Sequence, residues 1–176
     1  MPSNIKRIKK AQKGDEEAFI ELIKNDELRL YNTAIKILGN EYDAADVLQE
    51  TVFAAYQNIE KLRNPKYFYT WLYRILINQC NKLIHSKNET YPLIDATQID
   101  IDKHEPFQSI EYLVEHLNET YKIPILLFYQ NGFSIKEISE ILNEPEGTIK
   151  SKLSRGRLLI KKEFESDKEE ISNENI

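Results

Sequence analysis

The tightest local constraint in this chain lies between residues 134 and 162. Ser134-Ile135-Lys136-Glu137 has capping-box spacing: the serine oxygen caps a helix start, and the glutamate reaches back to the serine N–H. A short helix to Leu142 follows, with Ile135, Ile138 and Ile141 or Leu142 facing inward, and Asn143-Glu144-Pro145 stops it. A second helix starts near Glu146 and runs through Lys162. Its Ile149, Leu153, Gly156 and Ile160 fall on one side and need burial. Thr148, Ser151, Arg155 and Lys162 fall on the far side, flanked by Lys152 and Ser154. A short helix, a tight turn and a longer basic helix match the helix-turn-helix pattern. Its far side is polar, positive and short-chained near the N-terminus, which suits entry into the major groove of DNA. The competing reading is an amphipathic helix with solvated lysines.

The rest of the chain favours helices as well. Five glycines and six prolines in 176 residues disfavour an all-β protein with many tight turns. No run of about 18 apolar residues occurs, so no transmembrane helix is expected. The basic N-terminus lacks the apolar stretch of a signal peptide. One cysteine, Cys80, excludes an intramolecular disulfide framework and fits a reducing cytoplasm. Net charge is −5, which argues against nucleic acid, but the charge is sorted into blocks. Residues 1–14 hold five basic and no acidic side chains, and residues 15–60 hold eleven acidic against three basic. Residues 61–88 and 148–162 each hold six basic and none acidic. Two anionic contacts and one further partner would account for this sorting; solvated helix faces would account for it too.

Helical periodicity runs from Asp15 to Leu38, with an acidic first turn and a possible break near Asn25-Asp26; Gly39-Asn40 ends it. A second helix spans about Tyr42 to Ile59, with Ala45, Leu48, Val52 and Ala55 on one face. A third runs from about Tyr67 to His85, with Phe68, Trp71, Leu72, Ile75, Gln79 and Leu83 along one side. The expected fold is all-α: a helical domain over 1–86, a flexible linker over 87–108, a helix-turn-helix domain over 109–166 and a frayed acidic tail over 167–176. Pro124 suits the first turn of a helix, where its missing N–H does no harm.

Two N-terminal patterns carry chemistry. Asp43, Asp46 and Glu50 share a helix face with Gln49 beside them, an acidic stripe that repels DNA and suits a basic protein. Tyr67, Phe68, Tyr69, Trp71 and Tyr73 crowd into seven residues among Lys61, Arg63, Lys66 and Arg74. Exposed aromatics beside positive charge suit unstacked bases. Phe68, Trp71 and Leu72 also read as core, while Tyr73, Arg74, Ile77 and Asn81 lie opposite Phe68. For Tyr67, Tyr69 and Tyr73, base stacking and core burial both remain open.

Three segments together resemble a known family. They are Asp43-x-x-Asp46-Val-x-Gln49-Glu50, then Asn64-x-x-x-Phe68-x-x-Trp71-Leu-Tyr-Arg74-Ile75, then the helix-turn-helix with Gly147-Thr-Ile-Lys-Ser151-Lys-Leu-Ser-Arg155-Gly-Arg157. In this order they resemble the sigma-70 family of RNA polymerase sigma factors, and within it the small extracytoplasmic-function (ECF) group, which retains the second and fourth conserved regions. The resemblance implies a promoter-specificity subunit with core RNA polymerase and promoter DNA as partners. It also implies an anti-sigma factor as regulator. Asp43, Asp46, Gln49 and Glu50 would bind core polymerase. Lys61, Arg63, Asn64, Tyr67, Phe68, Tyr69, Trp71, Arg74 and Asn78 would melt and capture the −10 element. Thr148, Lys150, Ser151, Lys152, Ser154, Arg155 and Arg157 would read the −35 element.

The chain departs from the family pattern in two places. Gln79 to His85 is nearly neutral where the family is strongly basic, and Gly156 replaces a frequent alanine at a helix cost of up to about 1 kcal/mol. An enzyme is not expected. His85, His104 and His116 lack metal spacing, no Gly-rich phosphate loop occurs, and Cys80, read as a small buried side chain, has no evident base. Neither a cofactor, a metal nor a small-molecule substrate is implied.

Overall fold

The computed structural model describes residues 2–90, 113–114 and 116–174, with side chains described over 4–87, 113–114 and 116–165. They form two compact helical units, one running through Lys87 and one containing the helices after Asn118. Most of the expected linker, and the start of the expected second domain at Ser109, lie outside the described residues.

The first unit opens with a helix that periodicity did not reveal, α1 (Pro2–Ala11), which buries Ile8 and Ala11. Next come α2 (Glu16–Lys24) and α3 (Glu27–Leu38), so the break at Asn25-Asp26 is real. Asp15 caps α2 by accepting from the Ala18 N–H at 2.9 Å, and Glu16 and Glu17 sit at the positive end of its dipole. Gly39 ends α3 at φ 66°, where a Cβ would be strained. Asn40 then caps α4 (Glu41–Asn58) by accepting from the Asp43 N–H. Two single 3₁₀ turns, Ile59–Lys61 and Pro65–Tyr67, lead into α5 (Phe68–Thr90).

The core of this unit centres on Leu22, Leu30, Ala34, Phe68, Leu72 and Leu76, each fully buried. One expectation changes here, and one open reading is settled. On α4 the buried stripe is Ala44, Val47, Thr51 and Ala55; Ala45, Leu48 and Val52 are only half-buried. The register shifts because α4 is apolar on two neighbouring strips, and only one meets the core. Tyr73 and Ile77, on the face opposite Phe68, are 2% and 1% exposed, because α5 is covered on both sides. The Tyr73 hydroxyl hydrogen-bonds the carboxyl of Asp26, a buried acid at the start of α3. Helix α5 also outruns the expected end at His85, and Lys87 in its added turn forms an ion pair with Asp43 of α4.

The second unit contains α6 (Glu119–Ile125), a π turn (Leu126–Gln130), α7 (Ile135–Leu142) and α8 (Glu146–Glu174). Pro124 lies inside α6 rather than in its first turn. Without an N–H it supplies no rung to the ladder, and the chain widens just after it, with the Asn131 N–H reaching the Leu126 carbonyl at 3.0 Å. Helix α8 continues to Glu174, so the backbone of the acidic tail is helical where fraying was expected. Leu127, Ile138, Ile141 and Ile149 form the centre of this core.

Candidate functional site

The acidic stripe occupies the outer face of α4. Asp46, Gln49 and Glu50 are exposed, as expected, while Asp43 is half-buried and held by Lys87. Asp43 is therefore already charge-compensated within the chain, which the spacing in α4 alone did not show. Beside the stripe, between α2 and α4, lies an open apolar groove of about 610 Å³. Phe19, Ile20, Leu48, Val52, Phe53 and Tyr56 line it, with Gln49 at its border. Ile20 and Phe53 are 48% and 59% exposed. Tyr56 packs edge-on against Phe19 at 5.2 Å and donates a hydrogen bond to Glu16 across the groove. Sequence reasoning missed this feature by assigning Leu48 and Val52 to the core. The available signal was Phe53 and Tyr56 continuing that strip beyond the acidic residues.

The aromatic-basic segment separates into core and surface. Phe68 is fully buried, so its place among residues meeting DNA is corrected: it supports the surface from beneath. Tyr69 is half-buried, and its hydroxyl accepts a bond from the Asn4 amide of α1 at 3.1 Å. Tyr73 belongs to the core. Tyr67 and Trp71 remain accessible, and with Arg74 and Asn78 they form one stripe at helical spacing. Trp71 is set by a tilted contact with Phe68 at 6.0 Å. Lys61, Arg63, Asn64 and Lys66 are exposed in the loop before it. The Asn64 side chain accepts the Lys66 N–H at 3.1 Å, fixing the 3₁₀ turn that presents Tyr67.

The helix-turn-helix forms as its sequence implies. The Ser134 N–H and hydroxyl donate to the Glu137 carboxylate at 2.8 and 2.7 Å, and the Glu137 N–H returns to the serine oxygen at 3.3 Å. Asn143 takes φ 54°, which asparagine tolerates better than most residues, and so turns the chain sharply after α7. The Pro145 carbonyl, just before α8, then accepts the N–H groups of Thr148 and Ile149 in its first turn. Thr148, Ser151, Ser154 and Arg155 are exposed on the outer face of α8, with Lys150 and Arg157 at one margin. Lys152, at the other margin, is half-buried and pairs with Glu144 of the turn at 2.6 Å, so it braces the motif. Arg157 lies 3.4 Å from the Tyr129 hydroxyl. Gly156 has a packing role: a Cβ there would stand 2.5 Å from Ile125 Cδ1 and 3.3 Å from Tyr121 Cβ.

Cys80 is fully buried, and burial pushes its thiol up to about 12, leaving it protonated and unreactive at neutral pH. Among the described residues, no His, Cys, Asp and Glu cluster suits a metal ion, and no helix is long and apolar enough to cross a membrane.

The family described as Sigma-70 region 2 matches residues 17–90, and Sigma-70 region 4 matches residues 107–160. The protein named ECF RNA polymerase sigma factor SigW from Bacillus subtilis is 34% identical over 179 residues, covering 90% of this chain and 95% of that one. An ECF RNA polymerase sigma-E factor from Haemophilus influenzae is 28% identical, covering 90% and 93%. In fold, the chain is similar to CnrH, solved with the cytosolic domain of CnrY, at a TM-score of 0.72 and 20% identity over 93% of this chain and 98% of that one. It is also similar to RpoE of Bartonella quintana, solved with the anti-sigma factor NepR, at 0.68 and 22% over 82% and 94%. The chain belongs to the sigma-70 family, in its ECF group of RNA polymerase sigma factors. Members of this group are transcription regulators that act with RNA polymerase at promoters.

Proposed function

We propose that Asp46, Gln49 and Glu50 dock this sigma factor on core RNA polymerase, with Asp43 joining once Lys87 releases it. The observation that carries this reading is an exposed acidic stripe on α4 bordered by an open apolar groove. Charged groups steer a basic partner, and apolar surface supplies the burial that holds it. In the same reading, residues 1–86 form the docking and −10 domain. The Tyr67, Trp71, Arg74 and Asn78 stripe, with Lys61, Arg63, Asn64 and Lys66 before it, holds unstacked −10 bases. Residues 109–166 form the −35 domain, in which Thr148, Ser151, Ser154 and Arg155 enter the groove while Lys150 and Arg157 meet the backbone. The protein works in the cytoplasm, performs no catalysis of its own, and is held in check by an anti-sigma factor, as in the RpoE–NepR complex.

Gel filtration with core polymerase tests the docking face. Wild type should co-elute with polymerase, and Asp46→Arg should elute alone. If wild type fails to co-elute, or Asp46→Arg co-elutes equally well, the docking assignment is wrong.

A further inference from the structure

Residues 1–14 hold five basic and no acidic side chains, and the surfaces described above leave this charge unused. The segment lies before the region 2 match, which begins at residue 17. Helix α1 is nonetheless fastened to the loop that presents the aromatic stripe. The Gln12 amide donates to the Ile59 and Leu62 carbonyls at 3.2 and 2.6 Å, and Asn4 donates to Tyr69 at 3.1 Å. Ile8 and Ala11 of α1 are buried as well.

The basic side chains of this segment differ in what they face. Arg7 pairs with Glu21 at 2.7 Å, and Lys6 and Lys10 line a hollow with Asp15, Glu17 and Glu21, so that charge is balanced by α2. Lys9 and Lys13 do not line that hollow; Lys9 stands one turn before Gln12, and Lys13 directly follows it in the turn that ends α1. Both are exposed, and among the described residues neither forms an ion pair. The same loop exposes Lys61, Arg63 and Lys66.

We infer that Lys9 and Lys13 are phosphate contacts for the DNA strand whose bases the Tyr67–Asn78 stripe holds, so that α1 and the 61–66 loop form one backbone-binding surface. This rests on the single-strand reading above. The bases are taken by rings, but their phosphates need cations at a distance that a separate, rigidly attached helix can supply. Such contacts are independent of sequence and weaken with salt.

The test uses the full chain and a fluorescein-labelled dT20 strand, with anisotropy read across a salt series from low ionic strength. Each lost phosphate contact to a single strand lowers the slope of log K against log salt by about 0.7. Lys9→Ala/Lys13→Ala should therefore flatten the slope by about 1.4 and weaken low-salt binding roughly fivefold or more. Lys9→Met/Lys13→Met keeps an unbranched stem of similar length without the charge and should do the same, which separates charge from packing. Lys10→Ala, over the acidic hollow, should leave both readings unchanged, and Tyr67→Ala should weaken binding without changing the slope. If Tyr67→Ala weakens binding while both double variants match wild type, the α1 inference is overturned and the single-strand reading stands. If the double variants weaken binding and Tyr67→Ala does not, α1 binds the backbone and the reading of the aromatic stripe fails. No binding of dT20 by wild type at the lowest salt overturns the α1 surface outright.

Discussion

Gly156 of α8 and Ile125 of α6 meet so closely that a Cβ on the glycine would stand 2.5 Å from Ile125 Cδ1. The bare backbone at Gly156 lets α6 lie directly against the DNA-reading helix. Ile125 is only 4% exposed, so its end methyl has little room to swing away. Gly156→Ala gains about 1 kcal/mol of helix propensity but overpacks the contact, at a cost of about 1–3 kcal/mol. A net loss of stability is expected in urea unfolding. Ile125→Val removes the clashing methyl, so the double variant should be more stable than the two single effects predict. Simple additivity would show that the contact is not the constraint.

Arg155 is exposed on the outer face of α8 and outside any core contact. Arg155→Ala should reduce −35-dependent run-off transcription by about five- to 150-fold, as expected for loss of about 1–3 kcal/mol of base discrimination. Co-elution with polymerase should be unaffected. Loss of polymerase binding in this variant would mean that the surface is misassigned.

Tyr67 is accessible, whereas Tyr69 is tied to Asn4. Tyr67→Ala should therefore reduce permanganate reactivity of −10 thymines while closed-complex formation persists, the stacking loss being about 1–3 kcal/mol. Tyr69→Phe, which keeps the ring and loses the hydroxyl, should lower the melting temperature more than it affects strand opening. Unchanged −10 reactivity in Tyr67→Ala would remove this residue from the strand-capture surface.

Asp26 is 6% exposed, and burial raises its carboxyl above the ordinary range, with Arg29 at 3.8 Å and the Tyr73 hydroxyl opposing the rise. A carboxyl whose folded pKa lies above its unfolded one favours folding most at pH below the unfolded value. That contribution is lost as pH rises through the folded pKa. Asp26→Asn removes the titration. The melting-temperature difference between wild type and variant should thus shift in favour of wild type on going from about pH 7 to pH 4. A difference that stays constant with pH would show that Asp26 titrates as it does in the unfolded chain.

The caps, stops and ordered motifs were legible because they act within a few residues. Ser134 with Glu137 and the stop at Asn143 satisfy or redirect backbone they adjoin in the chain, while Asp15 and Asn40, read as part of an acidic first turn and of a helix stop, are the caps of α2 and α4. The helical class, the helix-turn-helix and the exposed face of α8 follow from such local rules and from apolar period. What the period does not tell is how many sides of a helix are covered. Tyr73 stayed open between core and surface and Ile77 lay opposite Phe68, yet α5 is buried on both sides. Leu48 and Val52 looked like core because α4 carries two apolar strips, and only packing selects one. Lys87 on Asp43, Gln12 on the Ile59 and Leu62 carbonyls, and Ile125 beneath Gly156 join residues from separate helices. Sequence by itself therefore determined the class of fold, the family and the chemical character of each face. Tertiary structure alone decided which of those residues reach solvent, because burial and charge pairing depend on which neighbouring helix arrives against each face.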